Sequence, residues 1–236
     1  MIRSIYNWLF NDKVDIFDNN SRQILKIAHR GYCTEKDNQN TLISFANAIH
    51  HDFNIIELDI QLCKTGEMIV YHDLFINNIA IKNINYDDLP THIPTLNDVF
   101  SNIDISKNPL YLDLKGETLL SEVLYKYLIK NHLELIDNIY IASFNTQHLN
   151  IFKNSTYHFN LGFITGNTFQ ENELIPILEK LNFICIHWTM LEKKMIDVCK
   201  NMCVKVFTYT CKTQCDLSYI LNYRVDGIVS DIKLQL

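Results

Sequence analysis

The chain has no run of lysine or arginine, no apolar stretch long enough to span a bilayer, no low-complexity linker, and no cysteine pair spaced as in a zinc ribbon or redox dithiol. Each absence removes a class. With a formal net charge of -6 and its cations scattered, neither nucleic acid nor an anionic membrane surface is an expected partner. Near the start, Ile5 to Phe10 form a brief apolar patch containing Trp8, broken by Asn7 and followed by Asp12 and Lys13. It is too short and too polar for a signal core or a spanning helix, so no stable membrane insertion is expected. Residues 1–22 read as an arm or short docking helix. The seven cysteines are an odd number, and the spacings Cys199-x3-Cys203 and Cys211-x3-Cys215 match no metal motif. They read as small buried hydrophobes in a reducing compartment, which implies a cytoplasmic protein.

What is present suits one large globular unit. At 236 residues, 47% hydrophobic and 20% charged, the chain can bury a full core, and residues 23–236 read as a single domain. Short apolar runs alternate with amphipathic stretches. Strand-like runs cover 24–28, 55–60, 68–71, 110–114, 139–143, 159–164, 183–186, 204–209 and 227–229. Leu42, Phe45, Ala46 and Ile49 have helical spacing, with Asn40 placed as N-cap. Leu120, Val123, Leu124, Tyr127 and Leu128 repeat that spacing, as do Leu191, Met195, Val198, Cys199 and Met202 behind a Thr189–Glu192 capping box. Thr213 to Asp216 opens a further helix. Strand alternating with helix means parallel strands joined by crossovers. The seven residues between Ile60 and Met68 are too few for a crossover, so the run ending at His72 must be an antiparallel hairpin partner turned at Lys64-Thr65-Gly66. The other eight runs predict an α/β fold, a (β/α)8 TIM barrel with that extra hairpin strand after barrel strand 2.

Chemistry-bearing residues fall at the strand ends, which a barrel gathers on one face. Glu57 and Asp59 are two apart on a strand and share a face with Ile55, while Ile56, Leu58 and Ile60 face the helices. Two carboxylates pointing into a barrel repel unless a cation sits between them, and oxygen donors suit Mg2+ or Ca2+ rather than zinc. Asp113 adds a third carboxylate and Lys115 a cation on the same strand face. His29 precedes Arg30 and Gly31, and an arginine there is costly to bury without an anion. The hairpin returns His72-Asp73 toward Glu57 and Asp59. Three carboxylates, one divalent ion, Arg30, Lys115 and one phosphodiester come to neutrality with both histidines neutral, as a buried site requires. His187 ends a strand on the same face. His50-His51 ends a helix, and His92, His132, His148 and His158 are expected in loops or on helix surfaces.

These residues resemble the glycerophosphodiester phosphodiesterase family across nearly the whole chain from Ile24. The family's His-Arg-Gly is met at 29–31, and its Glu-Asn-Thr-Leu by Gln39-Asn40-Thr41-Leu42. Its Ile-Glu-x-Asp falls at 56–59, His-Asp at 72–73 and Ile-Pro-Thr-Leu at 93–96. Its acidic-x-Lys falls at 113–115, Ser-Phe at 143–144, and a late Asp-Gly-Ile-x-x-Asp at 226–231. The resemblance implies a barrel enzyme that hydrolyses small glycerophosphodiesters to glycerol 3-phosphate and an alcohol, using Mg2+ or Ca2+, with Mn2+ as an alternative. It implies Glu57, Asp59 and Asp113 as metal ligands, His29 and His72 as the acid/base pair, and Arg30 and Lys115 as phosphate-binding residues. A phospholipase D-like or cyclising lipid phosphodiesterase, or an idle phosphate binder, would use the same barrel. A lipid substrate would need an apolar rim, for which Ile5–Phe10 is the sequence's candidate. There are four departures from the family pattern. Gln39 replaces a glutamate and Asp113 a longer glutamate. Tyr209-Thr210-Cys211-Lys212 stands where the family has Trp-Thr-Val-Asn. The segment between His72 and Ile93 is short, which implies a more open pocket.

Overall fold

The computed structural model describes residues 23–33 and 38–236, so the expected N-terminal arm with its Ile5–Phe10 patch lies outside the described residues. Its strands are β1 (Leu25–Ala28), β2 (Ile55–Leu62), β3 (Met68–Val70), β4 (Phe75–Ile76), β5 (Ile79–Ala80), β6 (Leu110–Leu114), β7 (Ile139–Ser143), β8 (Asn160–Thr165), β9 (Phe183–His187), β10 (Lys205–Cys211) and β11 (Gly227–Ser230). Hydrogen bonding runs β1-β11-β10-β9-β8-β7-β6-β2, and a β1–β2 pairing closes the ring. Every pair in the ring is parallel. β3 lies outside it, antiparallel to β2, with Ile60 opposite Val70 and Leu62 opposite Met68. This is the expected (β/α)8 barrel with one added hairpin strand.

Two apolar layers hold it. Inside the ring, Ile27, Ile55, Tyr111, Ala142, Ile164, Phe183, Cys185, Phe207 and Val229 pack together, drawn from all eight barrel strands. Phe183 sits among Tyr111 and Phe207, with ring centroids 5.4 and 4.8 Å away. Gly162 makes room for it, since a Cβ there would lie 2.2 Å from the Phe183 ring. Outside the ring, Ile56, Leu58 and Ile60 of β2 join Leu110, Leu112 and Leu114 of β6 against the helix layer. Strands covered on both faces read as near-continuous apolar runs, as these do. Cys63, Cys185, Cys199 and Cys211 are buried as expected, whereas Cys203 and Cys215 are exposed.

The helices are α1 (Leu42–His50), α2 (Leu96–Asn102), α3 (Leu119–Asn131), α4 (Asn150–Lys153), α5 (Glu171–Leu178), α6 (Lys193–Asn201) and α7 (Gln214–Ile220). Leu120, Leu124 and Leu128 of α3 are buried, as their spacing requires. Thr213 caps α7 through a reciprocal box with Asp216. Two expected caps differ. Thr41, not Asn40, caps α1, its hydroxyl accepting from Ser44 N. The Thr189–Glu192 box does not form: residues 188–190 make a separate 3-10 turn and α6 begins at Lys193, behind Glu192, with no side-chain cap. His148 is buried rather than on a surface, its ring bonded to Ser121 Oγ at 2.7 Å and to Gly116 O at 3.3 Å. Among the described residues no helix is long and apolar enough to cross a membrane.

Candidate active site

The turn after β1 is built around a close approach. Arg30 and Gly31 both have positive φ, 55° and 78°. A Cβ on Gly31 would lie 2.3 Å from Ser44 Oγ, so no larger residue fits between the turn and α1. Arg30 N donates to Glu57 Oε2 at 2.7 Å, and its carbonyl accepts from Ser44 Oγ and Asn40 N, both at 2.9 Å. The turn therefore aims the Arg30 side chain and orients Glu57 at once.

Strand register assembles the carboxylates. Asp59 of β2 is the direct partner of Asp113 of β6, and Glu57 lies two residues earlier on the same face. Ligand atoms of Glu57, Asp59 and Asp113 all lie within 4.8 Å of one another, and the three residues are 5%, 1% and 6% exposed. Cations surround them. Lys115 Nζ lies 2.5 Å from Asp113 Oδ2 and 3.3 Å from Asp59 Oδ1, and Arg30 Nε lies 3.2 Å from Asp59 Oδ2. Asn40, freed from the capping role, donates from Nδ2 to Asp59 Oδ2 at 2.9 Å and accepts from Asp59 N at 3.2 Å.

The electrostatics of this cluster are unequal. Burial, then the charges of Asp59 and Asp113, push the Glu57 carboxyl well above the usual range. Burial also raises Asp113, to about 7, against the pull of Lys115. Burial opposes the Asp59 charge too, but Lys115, Arg30, His72 and Asn40 outweigh it and hold Asp59 below the ordinary aspartate value. Burial likewise disfavours the Lys115 charge, yet Asp113 and Asp59 keep it above the usual lysine value. Asp113 Oδ1 is buried without a hydrogen-bond partner among the described residues. A hard divalent cation would answer both the orphaned oxygen and the mutual repulsion, and three carboxylates are the donor set it prefers.

Two histidines flank the cluster, and each is held by an aspartate. His29 Nδ1 lies 2.6 Å from Asp231 Oδ1, and His72 Nδ1 lies 2.7 Å from Asp73 Oδ1. His29, Arg30, Gln39, His72, Tyr86 and His92 line a common cleft. Gln39 Oε1 accepts from an Arg30 terminal nitrogen at 3.2 Å, a neutral contact in place of an ion pair. On the far side, Lys115 Nζ sits 5.1 Å from the centre of the Phe144 ring. Phe144 meets Tyr209 edge-on, and Tyr209 meets His187. Of the seven residues singled out for the site, His29 and Arg30 directly follow β1, Glu57 and Asp59 lie within β2, His72 stands just beyond β3, and Asp113 and Lys115 lie at the end of β6.

Three further residues escaped sequence reasoning. Asp231 closes the late acidic motif but had no role there; the signal was the closure of the ring, which sets Ser230 beside Ala28. Asn40 reads in sequence as the helix N-cap. Gln61 continues the Glu57–Asp59 alternation along β2, and its amide reaches the chain on either side of His72.

The chain matches the glycerophosphoryl diester phosphodiesterase family over residues 29–232. A glycerophosphodiester phosphodiesterase of Caldanaerobacter subterraneus subsp. tengcongensis is 25% identical over 228 residues, spanning 88% of this chain and 93% of that protein. The crystal structure of a glycerophosphodiester phosphodiesterase from Parabacteroides distasonis superposes with a TM-score of 0.79 at 20% identity, covering 90% of this chain and 94% of that one. An Oleispira antarctica phosphodiesterase in complex with the product sn-glycerol-3-phosphate superposes with a TM-score of 0.75 at 21% identity, covering 88% and 92%.

Proposed function

Because the chain belongs to the glycerophosphoryl diester phosphodiesterase family and is a phosphoric diester hydrolase, we propose that it cleaves small glycerophosphodiesters to glycerol 3-phosphate and an alcohol, with residues 23–236 as its catalytic unit. The observation that carries this reading is the convergence of three buried carboxylates, two cations and two aspartate-held histidines at one mouth of the barrel. Glu57, Asp59 and Asp113 would hold one divalent cation, Mg2+ or Ca2+, with Mn2+ also suited to oxygen donors. Such an ion, when bound, would draw charge from a phosphoryl oxygen and acidify an attacking hydroxyl.

The chain's own residues do the rest. Arg30 and Lys115, each already within 3.3 Å of Asp59, would hold the non-bridging phosphate oxygens and offset the charge that builds on them. One histidine takes the proton from the attacking hydroxyl as the new P–O bond forms. The other gives a proton to the alkoxide as the P–O bond to the alcohol breaks. Asp231 and Asp73 each accept from Nδ1, which leaves Nε2 of either ring for the transfer. The attacking hydroxyl is either water or the 2-hydroxyl of the substrate's glycerol, and the second route passes through a cyclic phosphate.

A second reading is favoured by one feature of the surface. Phe75, Ile79, Leu119 and Phe144 are each at least half exposed, at 57, 53, 52 and 50%. Leu119 and Phe144 follow β6 and β7, and Phe75 and Ile79 lie on the β4–β5 hairpin. Lys82, just after that hairpin, bonds to Glu117 at 2.5 Å and so sets it beside the loop before Leu119. This rim would accept an acyl chain on the glycerol, making the same chemistry a lysophospholipase D reaction.

The test is 31P NMR of the purified protein with Mg2+ or Ca2+ and either glycerophosphocholine or lysophosphatidylcholine. Glycerol 3-phosphate from the first supports the main reading, and a lysophosphatidate or cyclic phosphate from the second supports the other. Turnover of neither substrate with either metal would sink both.

A further inference from the structure

We propose that Gln61 is the positioning residue for His72, fixing that imidazole relative to the carboxylates. Gln61 lies two residues beyond Asp59 on the same face of β2 and is 3% exposed. Its side-chain amide donates twice from Nε2, to Tyr71 O at 2.7 Å and to Asp73 O at 2.8 Å. Those carbonyls belong to the residues on either side of His72.

The location makes these bonds consequential. The β2–β3 ladder ends at the Ile60–Val70 pair, with one last strand-like bond from Tyr71 N to Asp59 O at 3.1 Å. Beyond it the chain leaves the sheet. The side chains of His72 and Asp73 are 41% and 69% exposed, and Leu74 and Phe75 that follow are 49% and 57% exposed. The His72–Asp73 pair therefore stands on a surface loop, where packing does little to fix it. One bond from Gln61 sets the 71–72 peptide plane and the other the 73–74 plane, so the chain is pinned on both sides of His72 and the direction of its Cα–Cβ bond is constrained. The bond from Nδ1 to Asp73 then settles the ring. Gln61 stands on the strand that carries Glu57 and Asp59, so His72 is referenced to the carboxylates rather than to the loop. A misplacement of about 1 Å in such a group can cost about 10²-fold in rate.

Residue type matters as well as reach. Only a neutral group with two donors can serve two carbonyls here. A glutamate would aim lone pairs at both and add a third carboxylate to this face of β2, after Glu57 and Asp59. The alternative role is plain satisfaction of two carbonyls that have left the ladder. That role would cost stability when lost, without singling out the step His72 performs.

The proposal rests on the reading of His72 as a proton-transfer residue, and the experiment separates the two. Gln61→Met keeps the side-chain length and removes the donors; Gln61→Glu keeps length and polarity. Each is made in the full chain, alone and in a His72→Ala background, and assayed with Mg2+ and glycerophosphocholine. We expect each to lower kcat about 10- to 100-fold while KM and the Mg2+ affinity measured by calorimetry move less than about 3-fold. In the His72→Ala background the same substitutions should cost less than about 2-fold, since the group they position is gone. The His72 ring resonances, assigned by their absence in His72→Ala, should move in Gln61→Met without substrate. An equal loss in both backgrounds, a matching loss of Mg2+ affinity, or failure of both variants to fold would overturn the proposal in favour of a purely structural amide. Near-normal turnover by His72→Ala would instead remove the premise, and the proposal with it.

Discussion

Asp231 Oδ1 lies 2.6 Å from His29 Nδ1, joining residues 202 positions apart. Ring closure is the cause. β1 and β11 pair in parallel with Ala28 beside Ser230, so the next residue on each strand falls side by side above the barrel. The carboxylate fixes which nitrogen of His29 faces the cleft and would stabilise the imidazolium as it forms. Asp231→Asn keeps an acceptor but removes the charge. We expect kcat to fall, by less than the about 10²–10⁴-fold expected of His29→Ala. Wild-type turnover in Asp231→Asn would show that the carboxylate is dispensable.

The histidines themselves should behave as a unit. His29→Ala and His72→Ala are each expected to lower kcat by about 10²–10⁴-fold with little change in Mg2+ affinity. If one takes a proton and the other returns it, the double variant will fall well short of the product of the two losses. Full multiplicativity would mean that they serve independent steps. Steady-state kinetics of the four proteins decides this.

The barrel was legible because its strands are buried on both faces and its crossovers carry clear helical spacing. The odd strand was legible because seven residues cannot hold a crossover. Glu57, Asp59 and Asp113 could be placed together because a parallel barrel gathers strand ends. What could not be read were the supporting contacts. Asn40 looks like a helix cap in sequence, since asparagine before an apolar helix usually is one. In the fold Thr41 takes that part, and Asn40, at a φ of 58°, turns its amide onto Asp59. His148 likewise gave no sign of burial, because its partners Ser121 and Gly116 lie 27 and 32 residues away. Contacts of that range depend on helix placement, which no local pattern encodes.

Stability without metal should depend on pH in a direction the cluster dictates. Asp113 rises from 3.8 to about 7 and Glu57 rises well above its ordinary value, so the folded state holds protons that the unfolded state has lost. Each group's stabilising contribution is present below its unfolded pKa and is lost as pH rises through the folded value. Asp59 works oppositely: its depressed value adds stability above the ordinary aspartate range that is lost on acidification. The metal-free protein should therefore lose thermal stability from about pH 4 to pH 7 and beyond. Mg2+ or Ca2+ should flatten that fall and bind more tightly as pH rises. Melting curves in EDTA and in metal between pH 5 and 8 test it, and parallel curves would count against a cation among these carboxylates.

Gly31→Ala should disable the site without touching a charged group. The added methyl would meet Ser44 Oγ at 2.3 Å and the Ser44 carbonyl carbon at 2.6 Å, at a φ of 78° that alanine disfavours. Relief requires the turn to move away from α1, which carries Arg30 N off Glu57. We expect a loss of about 1–3 kcal/mol in denaturant unfolding together with weaker Mg2+ binding. Unchanged metal affinity would show that the turn does not orient Glu57.

The exposed rim decides between the two substrate readings. Exposed apolar side chains are ordinary one at a time, but Phe75, Ile79, Leu119 and Phe144 all lie on the segments that follow β3, β6 and β7. The short segment 74–92 adds the two-residue strands β4 and β5 and two single 3-10 turns there, so little protein encloses the leaving alcohol. For simple diesters, discrimination then depends on a few contacts worth about 1–3 kcal/mol each, and the choline, ethanolamine and inositol esters should fall within about 100-fold in kcat/KM. An acylated glycerol is different, because its chain can cover the rim. Burying one large apolar side chain is worth about 1.5–3 kcal/mol, or roughly a factor of ten or more. If lysophospholipid is a substrate, Phe75→Ser and Ile79→Ser should each lower kcat/KM for lysophosphatidylcholine by about 10-fold and leave glycerophosphocholine hydrolysis unchanged. Equal effects on both substrates would mean that the hairpin supports the site rather than the acyl chain. No effect on lysophosphatidylcholine turnover would leave the rim without a part in lipid binding and favour the small diesters alone.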